Sequence, residues 1–452
     1  MILRVSPSRL SGVVHAPPAK SVMQRLLAAA LLADGDTWIH NPSEADDCTA
    51  AMGVVAGLGA EIELGETSIK VRGTGGRLQP RQPVLQTGES GLGLRLFGAV
   101  AALSASPVRL VPHGTMTSRP MQPLVDVLNR LGGEAIWAND PSDAPGLSIR
   151  QGISGNVAMT AQAVQLDGGL SSQFLTGLLM ALPCLEGQGT LTLHVEALTS
   201  QPYVEMTLEV LEDFGISVHA DEALTRFDIP LGQTYRGGIE TAIDGDWSGA
   251  SALLVAGMLC ADGEITVEGL AGQYTQADEA IRGALLFAGG AMSGTDAGVK
   301  VAQRPVRGFV VDLAQSPDLF PALAALAAFG KKPSVLRGIG RLRHKESDRA
   351  VVLQTEFAKA GIRIDLDAEA DTMTIHPAKP GSLQAARIHP HGDHRIAMAG
   401  AILGCAGVPI EIEQAECVAK SYPAFFDDLE ALGAQIDWVS KDKHKDKHKD
   451  KQ

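Results

Sequence analysis

Aromatic side chains are scarce in this 452-residue sequence: Phe, Trp and Tyr together make up 4% of it. Apolar residues still reach 45%, and there are 50 glycines. The core must therefore be filled by Ala, Leu, Val and Gly, which lets helices pack closely on small side chains. Cysteine is sparse too. The five thiols (Cys48, Cys184, Cys260, Cys405 and Cys417) are scattered with no Cys-x-x-Cys pair. That argues against a disulfide frame or a zinc site and for a reducing compartment. Positive net charge is missing: the formal charge is −14, and the Lys441–Gln452 tail offsets part of it with six Lys and three Asp, leaving −17 for the body. So acidic a body argues against nucleic acid as a partner, and an anionic ligand would need a local concentration of cations. Long apolar runs are absent as well. Gly168 to Leu185 is uncharged for 18 residues, but Ser171-Ser172-Gln173 near its start and Pro183 near its end fit a buried, Ala-rich soluble helix better than a membrane span. The N-terminus, Met1-Ile-Leu-Arg-Val-Ser-Pro7, lacks the apolar core of a signal peptide. The expected location is the cytoplasm, with no membrane partner.

What is present begins with the stretch Arg341-Leu-Arg-His-Lys-Glu-Ser-Asp-Arg349. It carries four permanent positive charges, two negative ones and a histidine, and a periodic apolar segment follows at once (Val351, Val352, Leu353, Phe357, Ala360). Ser347 is the expected N-cap, with Asp348 at the positive end of the helix dipole. Lys345 and Glu346 then lie on the entering loop and Arg349 in the first turn, near backbone N–H groups that lack helical partners. An anionic group docked there would meet cations, free donors and one carboxyl able to carry a proton. A solvated, charged helix start is the alternative.

The chain is too long for one simple core, and two domains are expected. Six times a helix ends in a small or apolar residue, then Gly, then an alternating strand: at Gly59, Gly132, Gly215, Gly289, Gly361 and Gly433, spaced 73, 83, 74, 72 and 72 residues apart. Glycine is what a helix C-cap in the left-handed region requires. Between these copies lie six Ala-rich helices with polar or charged starts: Lys20-Ser21, Glu89-Ser90-Gly91, Ser171-Ser172, Ser248-Gly249, Pro317-Asp318 and Asp393-His394-Arg395. Self-similarity at this period predicts six copies of one α/β folding unit, either as an array or grouped three and three. If one helix of each copy is buried, its N-terminus offers unpaired N–H groups and a positive dipole end to an anion. Capping alone would also explain Ser and Asp at any single start.

These same positions resemble the 5-enolpyruvylshikimate-3-phosphate synthase family. The segments that carry the resemblance are Pro18-Ala-Lys-Ser-Val-Met-Gln-Arg25, Gly88-Glu-Ser-Gly-Leu-Gly-Leu-Arg95, Ser118-Arg-Pro120, Leu170-Ser-Ser-Gln-Phe174 and Ser200-Gln-Pro-Tyr203. In the second half they are Gly245-Asp-Trp-Ser248, Pro317-Asp318, Arg343-His-Lys-Glu-Ser-Asp-Arg349, Gly392-Asp-His-Arg395 and Ala419-Lys-Ser-Tyr-Pro423. They occur in order from about residue 2 to 438. The resemblance implies a two-domain, inside-out α/β barrel with three repeated units per domain. One domain is expected over residues 20–240, the second over 1–19 plus 241–440, and residues 441–452 form a disordered tail. The two are expected to close on substrate, and the chain is expected to act as a monomer.

The reaction implied is transfer of the enolpyruvyl group of phosphoenolpyruvate to the 5-hydroxyl of shikimate 3-phosphate, with release of phosphate. It needs no metal and no organic cofactor, because cations and positioned acids supply the chemistry. The resemblance implies that Lys20, Ser21 and Arg25 hold shikimate 3-phosphate, with Lys20 also reaching the enolpyruvyl centre. Ser171, Ser172 and Ser200 donate to its phosphate, Gln173 bridges both substrates, and Tyr203 stacks or hydrogen-bonds nearby. Arg341 and Lys345 belong to the same acceptor set. Phosphoenolpyruvate falls to Arg119, Arg349, Arg395 and Lys420, planar Arg forks being matched to carboxylate and phosphate, with Glu89 and Gly91 beside it. Asp318 is implied as the base for the 5-hydroxyl and Glu346 as the proton donor to the methylene. Glu346 would need a raised pKa that neighbouring cations oppose. His394 is expected to be structural and Cys417 a packed thiol.

The chain departs from the family pattern at two places. The second helix start usually reads Gly-Asn-Ala-Gly-Thr but here reads Gly88-Glu-Ser-Gly-Leu92, and Arg341 stands where Asn is common. Glu89 puts a carboxylate on the phosphoenolpyruvate side and Leu92 removes a hydroxyl, which is expected to weaken glyphosate, an inhibitor of this family, more than phosphoenolpyruvate. The rival within the fold is UDP-N-acetylglucosamine enolpyruvyl transferase, which carries a reactive cysteine on a mobile loop; the stretch Leu110 to Arg119 has none. A non-catalytic anion-binding scaffold is the rival from another class. Asp318 and Glu346 beside the cations argue against it, since pure polyanion binding would gain from losing both carboxylates.

Overall fold

The computed structural model describes residues 1–139, 145–154, 164–295, 297–379 and 381–439, so the Lys/Asp/His tail lies outside the described residues. Among them are six four-stranded sheets, and all six have the same pairing pattern. In one, Val310–Asp312 runs parallel to Ser334–Arg337, which pairs antiparallel with Thr372–His376, which pairs antiparallel with Arg363–Asp367. The other five repeat this parallel, antiparallel, antiparallel order. The sixfold periodicity in the sequence is thus a sixfold repetition of one sheet.

The glycines at the period marks do what a C-cap asks of them. Gly59, Gly132, Gly215, Gly289, Gly361 and Gly433 have φ of +122°, +82°, +76°, +92°, +84° and +106°. In every copy the next residue's N–H returns to a carbonyl five residues earlier, as in Ile216 to Leu211 (2.9 Å), Gly290 to Leu285 (2.8 Å) and Ile362 to Phe357 (3.1 Å). That is the Schellman closure, and a side chain at the glycine would oppose it.

The chain divides into two compact units. One comprises Met1–Pro17, Trp247–Ala271 and Asp278–Gln452; the other comprises Pro18–Asp246 and Gly272–Ala277. Beside the division expected from sequence, the crossings fall at Pro17/Pro18 and Asp246/Trp247, and the short segment 272–277 belongs with the second unit. N-terminal strands explain the discontinuity: Ile2–Ser6 pairs with Ile410–Glu413 and Gln435–Val439, and Leu10–His15 pairs with Ala261–Glu268.

Each unit has its own apolar core built around three helices. These are Lys20–Leu32, Gly91–Ala101 and Ser172–Ala181 in one, and Trp247–Cys260, Phe320–Ala327 and His394–Ala406 in the other. They are apolar nearly all round, so they sit inside with the sheets outside them; every residue of Gly91–Ala101 is buried. Small residues set their spacing. A Cβ on Gly177 would lie 2.6 Å from the Arg95 carbonyl oxygen and 3.1 Å from the Leu96 Cα, so two helices touch backbone to backbone there. This is why a chain poor in aromatics has closed cores. The uncharged run noted above becomes the helix Ser172–Ala181 and a 3₁₀ turn, Leu182–Cys184. Among the described residues no helix is long and apolar enough to cross a membrane.

Candidate active site

In the unit that begins at Pro18, the buried helices start at or beside the expected residues. Lys20 opens its helix, and its ammonium lies 2.8 Å from Asp47 Oδ2. Gln24, one turn on, donates to the Asp47 carbonyl (3.2 Å) and to Ser90 Oγ (3.0 Å), and Ser90 in turn caps its own helix by accepting from the Gly93 N–H at 2.9 Å. Lys20 is thereby tied to the second helix start through a chain of bonds. Arg25 lies beneath, 1% exposed. Its guanidinium donates to Thr207 Oγ1 (2.9 Å), the Ser21 carbonyl (2.8 Å), Thr176 Oγ1 (3.3 Å) and the Tyr203 carbonyl (2.9 Å). Burial lowers its pKa to about 10, and it stays cationic at neutral pH. Arg25 thus holds Ser21 and Tyr203 in place from below.

Gly91 is where three segments meet. A Cβ there would lie 2.8 Å from Arg119 Nη1, 3.2 Å from Gln173 Oε1 and 3.6 Å from Arg95 Nη1, so only a bare backbone admits these groups. Arg95 donates to Gln173 Oε1 (2.7 Å), Ser171 Oγ (3.4 Å) and the Pro120 carbonyl (3.2 Å), and its guanidinium lies 4.7 Å from the Phe174 ring centroid. Ser171 caps the third helix through the Gln173 N–H (3.2 Å). Ser200 opens the helix Gln201–Asp213 with a left-handed φ of +56° and makes no side-chain cap bond. A non-glycine residue held there costs free energy and marks functional sites often enough to note. Tyr203 sits in the first turn of that helix, its ring centroid 5.9 Å from the Arg25 guanidinium carbon.

Glu89 is turned toward a neighbouring turn. Its Oε1 lies 3.5 Å from His113 Nδ1, and the carboxylate occupies the space a Cβ on Gly114 would need. Leu92 is 8% exposed and belongs to the apolar core.

The other unit gathers the acids. Asp318, in the 3₁₀ turn that leads into Phe320–Ala327, has Arg349 Nη1 at 2.8 Å and Lys345 Nζ at 3.2 Å on one oxygen, and Arg395 Nη2 at 3.4 Å on the other. Burial alone would raise its pKa, but Lys345, Arg395 and Arg349 override that and hold the carboxyl well below its usual range. Lys345 is lowered as well: burial pulls its pKa down against the pull of Asp318. Glu346 shares the same guanidinium, Oε2 lying 2.8 Å from Arg349 Nη2. Arg349 itself is fully buried, and its Nε donates to Asp393 Oδ2 at 2.9 Å. The fork expected to face a substrate is thus a clamp under both acids, its donors spent on Asp393, Asp318, Glu346 and the Pro317 carbonyl.

Asp393 caps the helix His394–Ala406 through the Arg395 N–H (3.0 Å), and Arg395 reaches the Ser248 carbonyl (3.3 Å). Arg341 donates to the Ala314 carbonyl (3.2 Å), and Lys420 closes the 3₁₀ turn Ala415–Lys420, 6% exposed. His394 is 1% exposed. Burial pushes the Cys417 thiol up to about 12, so it is no thiolate nucleophile at neutral pH. One local expectation is corrected. The N-cap before Arg349–Lys359 is Asp348, whose side chain accepts from the Val351 N–H at 3.4 Å, not Ser347. Ser347 Oγ is used instead on Asp393 Oδ2 (3.3 Å), and the carboxylate at the cap suits the helix dipole better than a hydroxyl.

Arg95, Asp47 and Asp393 were missed as site residues. For Arg95 a signal existed, since it is the only charged residue between Glu89 and Arg109, and an unaccompanied Arg in an apolar helix is rarely idle. Asp47 lies in the first turn of the helix Asp46–Gly57, and only its contact with Lys20 marks it as part of the site.

Comparison with known proteins agrees along almost the full length. The family model described as EPSP synthase (3-phosphoshikimate 1-carboxyvinyltransferase) matches residues 5–429. A 3-phosphoshikimate 1-carboxyvinyltransferase of Methanothrix thermoacetophila is 36% identical, covering 96% of this chain and 99% of that protein. One of Methanosarcina acetivorans is 33% identical over 98% of this chain and 100% of its own length. Among solved structures, an EPSP synthase from Acinetobacter baumannii superposes with a TM-score of 0.77 at 22% identity, covering 97% of this chain and 100% of that one. The enolpyruvyl transferase NikO from Streptomyces tendae follows at 0.73 and 18%, covering 96% and 98%; these two bear on the fold. With a family model that spans nearly the whole chain and relatives that run end to end, this chain belongs to the EPSP synthase family.

Proposed function

We infer that the chain carries the activity for which its family is named: it transfers the enolpyruvyl group of phosphoenolpyruvate to the 5-hydroxyl of shikimate 3-phosphate and releases phosphate. The observation that carries this reading is the pair of carboxylates on one buried guanidinium, Asp318 and Glu346 both 2.8 Å from Arg349. Two anionic substrates call for cations; only proton transfer calls for two acids among them.

In the addition step the 5-hydroxyl oxygen bonds to the central carbon of the enol. Its proton passes to Asp318, and the methylene carbon takes a proton from Glu346. In the elimination step the carbon–oxygen bond to phosphate breaks, a methyl proton returns to Glu346, the proton held by Asp318 leaves with the phosphate, and the enol ether remains. Asp318 begins ionised, as a base must, and the lowered pKa that comes with three cations makes it a weak base. Substrate phosphate and carboxylate arriving beside those cations would offset their field and strengthen it. Lys20, Ser21, Ser171, Ser172, Gln173, Ser200, Tyr203, Arg341 and Lys345 are assigned to shikimate 3-phosphate. Arg119, Gly91, Glu89, Arg395 and Lys420 are assigned to phosphoenolpyruvate, with Lys20 and Gln173 touching both. Arg25 and Arg349 are assigned as positioning groups on the ground of their burial.

The five free cysteines support the cytoplasm as the setting, and the single chain is proposed as the reacting species. The test is phosphate release with shikimate 3-phosphate against a UDP-sugar acceptor. Release with the first alone supports the reading, and release with the second alone ends it. Binding of shikimate 3-phosphate with no release on adding phosphoenolpyruvate would leave only a scaffold.

A further inference from the structure

Two clasps, not one, join the helix Arg349–Lys359 to the segment that carries Asp393 and Arg395. The first is Arg349 on Asp393. The second lies two turns along the helix, at Glu356, a carboxylate 2% exposed. Its Oε2 accepts from the His389 backbone N–H at 2.8 Å and from Lys359 Nζ, and its Oε1 lies 3.3 Å from His391 Nε2. Burial would raise this carboxyl, but the bonds from Lys359, His389 and His391 keep it below its ordinary value, so it is an anion. His391 is itself held in the left-handed region at φ +55°, with its N–H on His389 Nδ1 at 3.0 Å and the two rings edge to face at 4.4 Å. A buried carboxylate meeting donors from its own helix and from a distant segment is a fixed point between the two.

The distances along the chain are short. Glu356 and Arg349 are about 10 Å apart on one rigid helix. Asp393 comes two residues after His391 and is the cap from which Arg395 reaches Asp318. We propose that Glu356 and His391 are positioning residues for the donor side of the reaction: their contact fixes the Asp393–Arg395 turn relative to Arg349, and so sets the placement of Arg395 against Asp318. The proposal rests on the functional reading above. A displacement of about 1 Å at such a turn suffices to cost up to a hundredfold in rate.

The experiment is steady-state kinetics on the full chain. His391 is half exposed, so His391→Ala removes one arm of the clasp without opening the core, and His391→Gln restores a side-chain N–H donor. The expected result is a loss of about tenfold in kcat/KM for phosphoenolpyruvate in His391→Ala. The KM for shikimate 3-phosphate stays within about twofold, the thermal midpoint within about 2 °C, and His391→Gln recovers most of the loss. Glu356→Gln, which keeps an acceptor for the His389 N–H, should show the same donor-side loss. Wild-type kinetics in all three variants overturn the proposal, and so does a loss that falls equally on both substrates. Arg395→Ala separates the two readings. If it raises the phosphoenolpyruvate KM while the His391 variants do nothing, the clasp alone fails. If it leaves that KM unchanged, the functional reading fails and the clasp proposal with it.

Discussion

The Arg349 guanidinium meets both oxygens of Asp393, Nε at 2.9 Å and Nη2 at 3.3 Å, and neither side chain is exposed to solvent. Forty-four residues separate them in sequence. The same guanidinium carries Asp318 and Glu346 on its other edge, so the two acids and the cap of the His394–Ala406 helix share one buried cation.

Asp393→Ala therefore leaves a fully buried guanidinium with one fewer carboxylate. Breaking one side of such a pair costs about 3–5 kcal/mol, and urea unfolding should show a loss of that order. A change below about 1 kcal/mol would place the pair in the class of surface bridges.

Asp318 gives stability a defined acid limb. Its folded pKa lies below the unfolded value of about 3.9. Its contribution is therefore present above that pH and is lost as pH falls toward the folded value. Unfolding midpoints measured from pH 6 down to about pH 3 should fall more steeply in the wild type than in Asp318→Asn. Parallel curves would mean that the three cations do not hold the carboxylate.

Gly91→Ala tests the junction of three segments. The added methyl meets Arg119 Nη1 at 2.8 Å and Gln173 Oε1 at 3.2 Å, so those groups must move while the backbone conformation stays allowed. The phosphoenolpyruvate KM should rise about tenfold, equivalent to about 1.4 kcal/mol, with little loss of fold stability. An unchanged KM would mean that Arg119 does not face that substrate.

Glu89 and Leu92 predict weak inhibition by glyphosate relative to phosphoenolpyruvate affinity. Glu89 leans on His113 and Gly114, so Glu89→Asn removes a carboxylate without opening the core and should strengthen inhibition several-fold. Micromolar inhibition of the wild-type chain at normal substrate affinity would contradict this.

Local physics made much of the architecture legible. A helix C-cap needs a left-handed residue, so six glycines mark six repeats, and all six have positive φ. A buried apolar helix needs a polar residue at its start to meet its free N–H groups, so Ser90, Ser171 and Asp393 are legible as starts, and each makes its cap bond. The cap at Asp348 was misplaced by one residue because Ser347 had a distant customer, Asp393, that no local rule contains. The resemblance implies substrate contacts for Arg25 and Arg349, but in the fold both are buried and their guanidinium donors lie on protein groups, a matter of burial that no local pattern contains.

The amino-acid sequence by itself determined the repeat, the two cores, the six helix starts and the set of cations and acids, because caps, periodicity and side-chain chemistry act over a few residues. Which cation meets which acid was decided only by the tertiary structure. Contacts such as Lys20 with Asp47, Arg95 with Gln173, and Arg349 with Asp393 join residues dozens of positions apart. Their strength depends on exclusion from water, which no single segment provides.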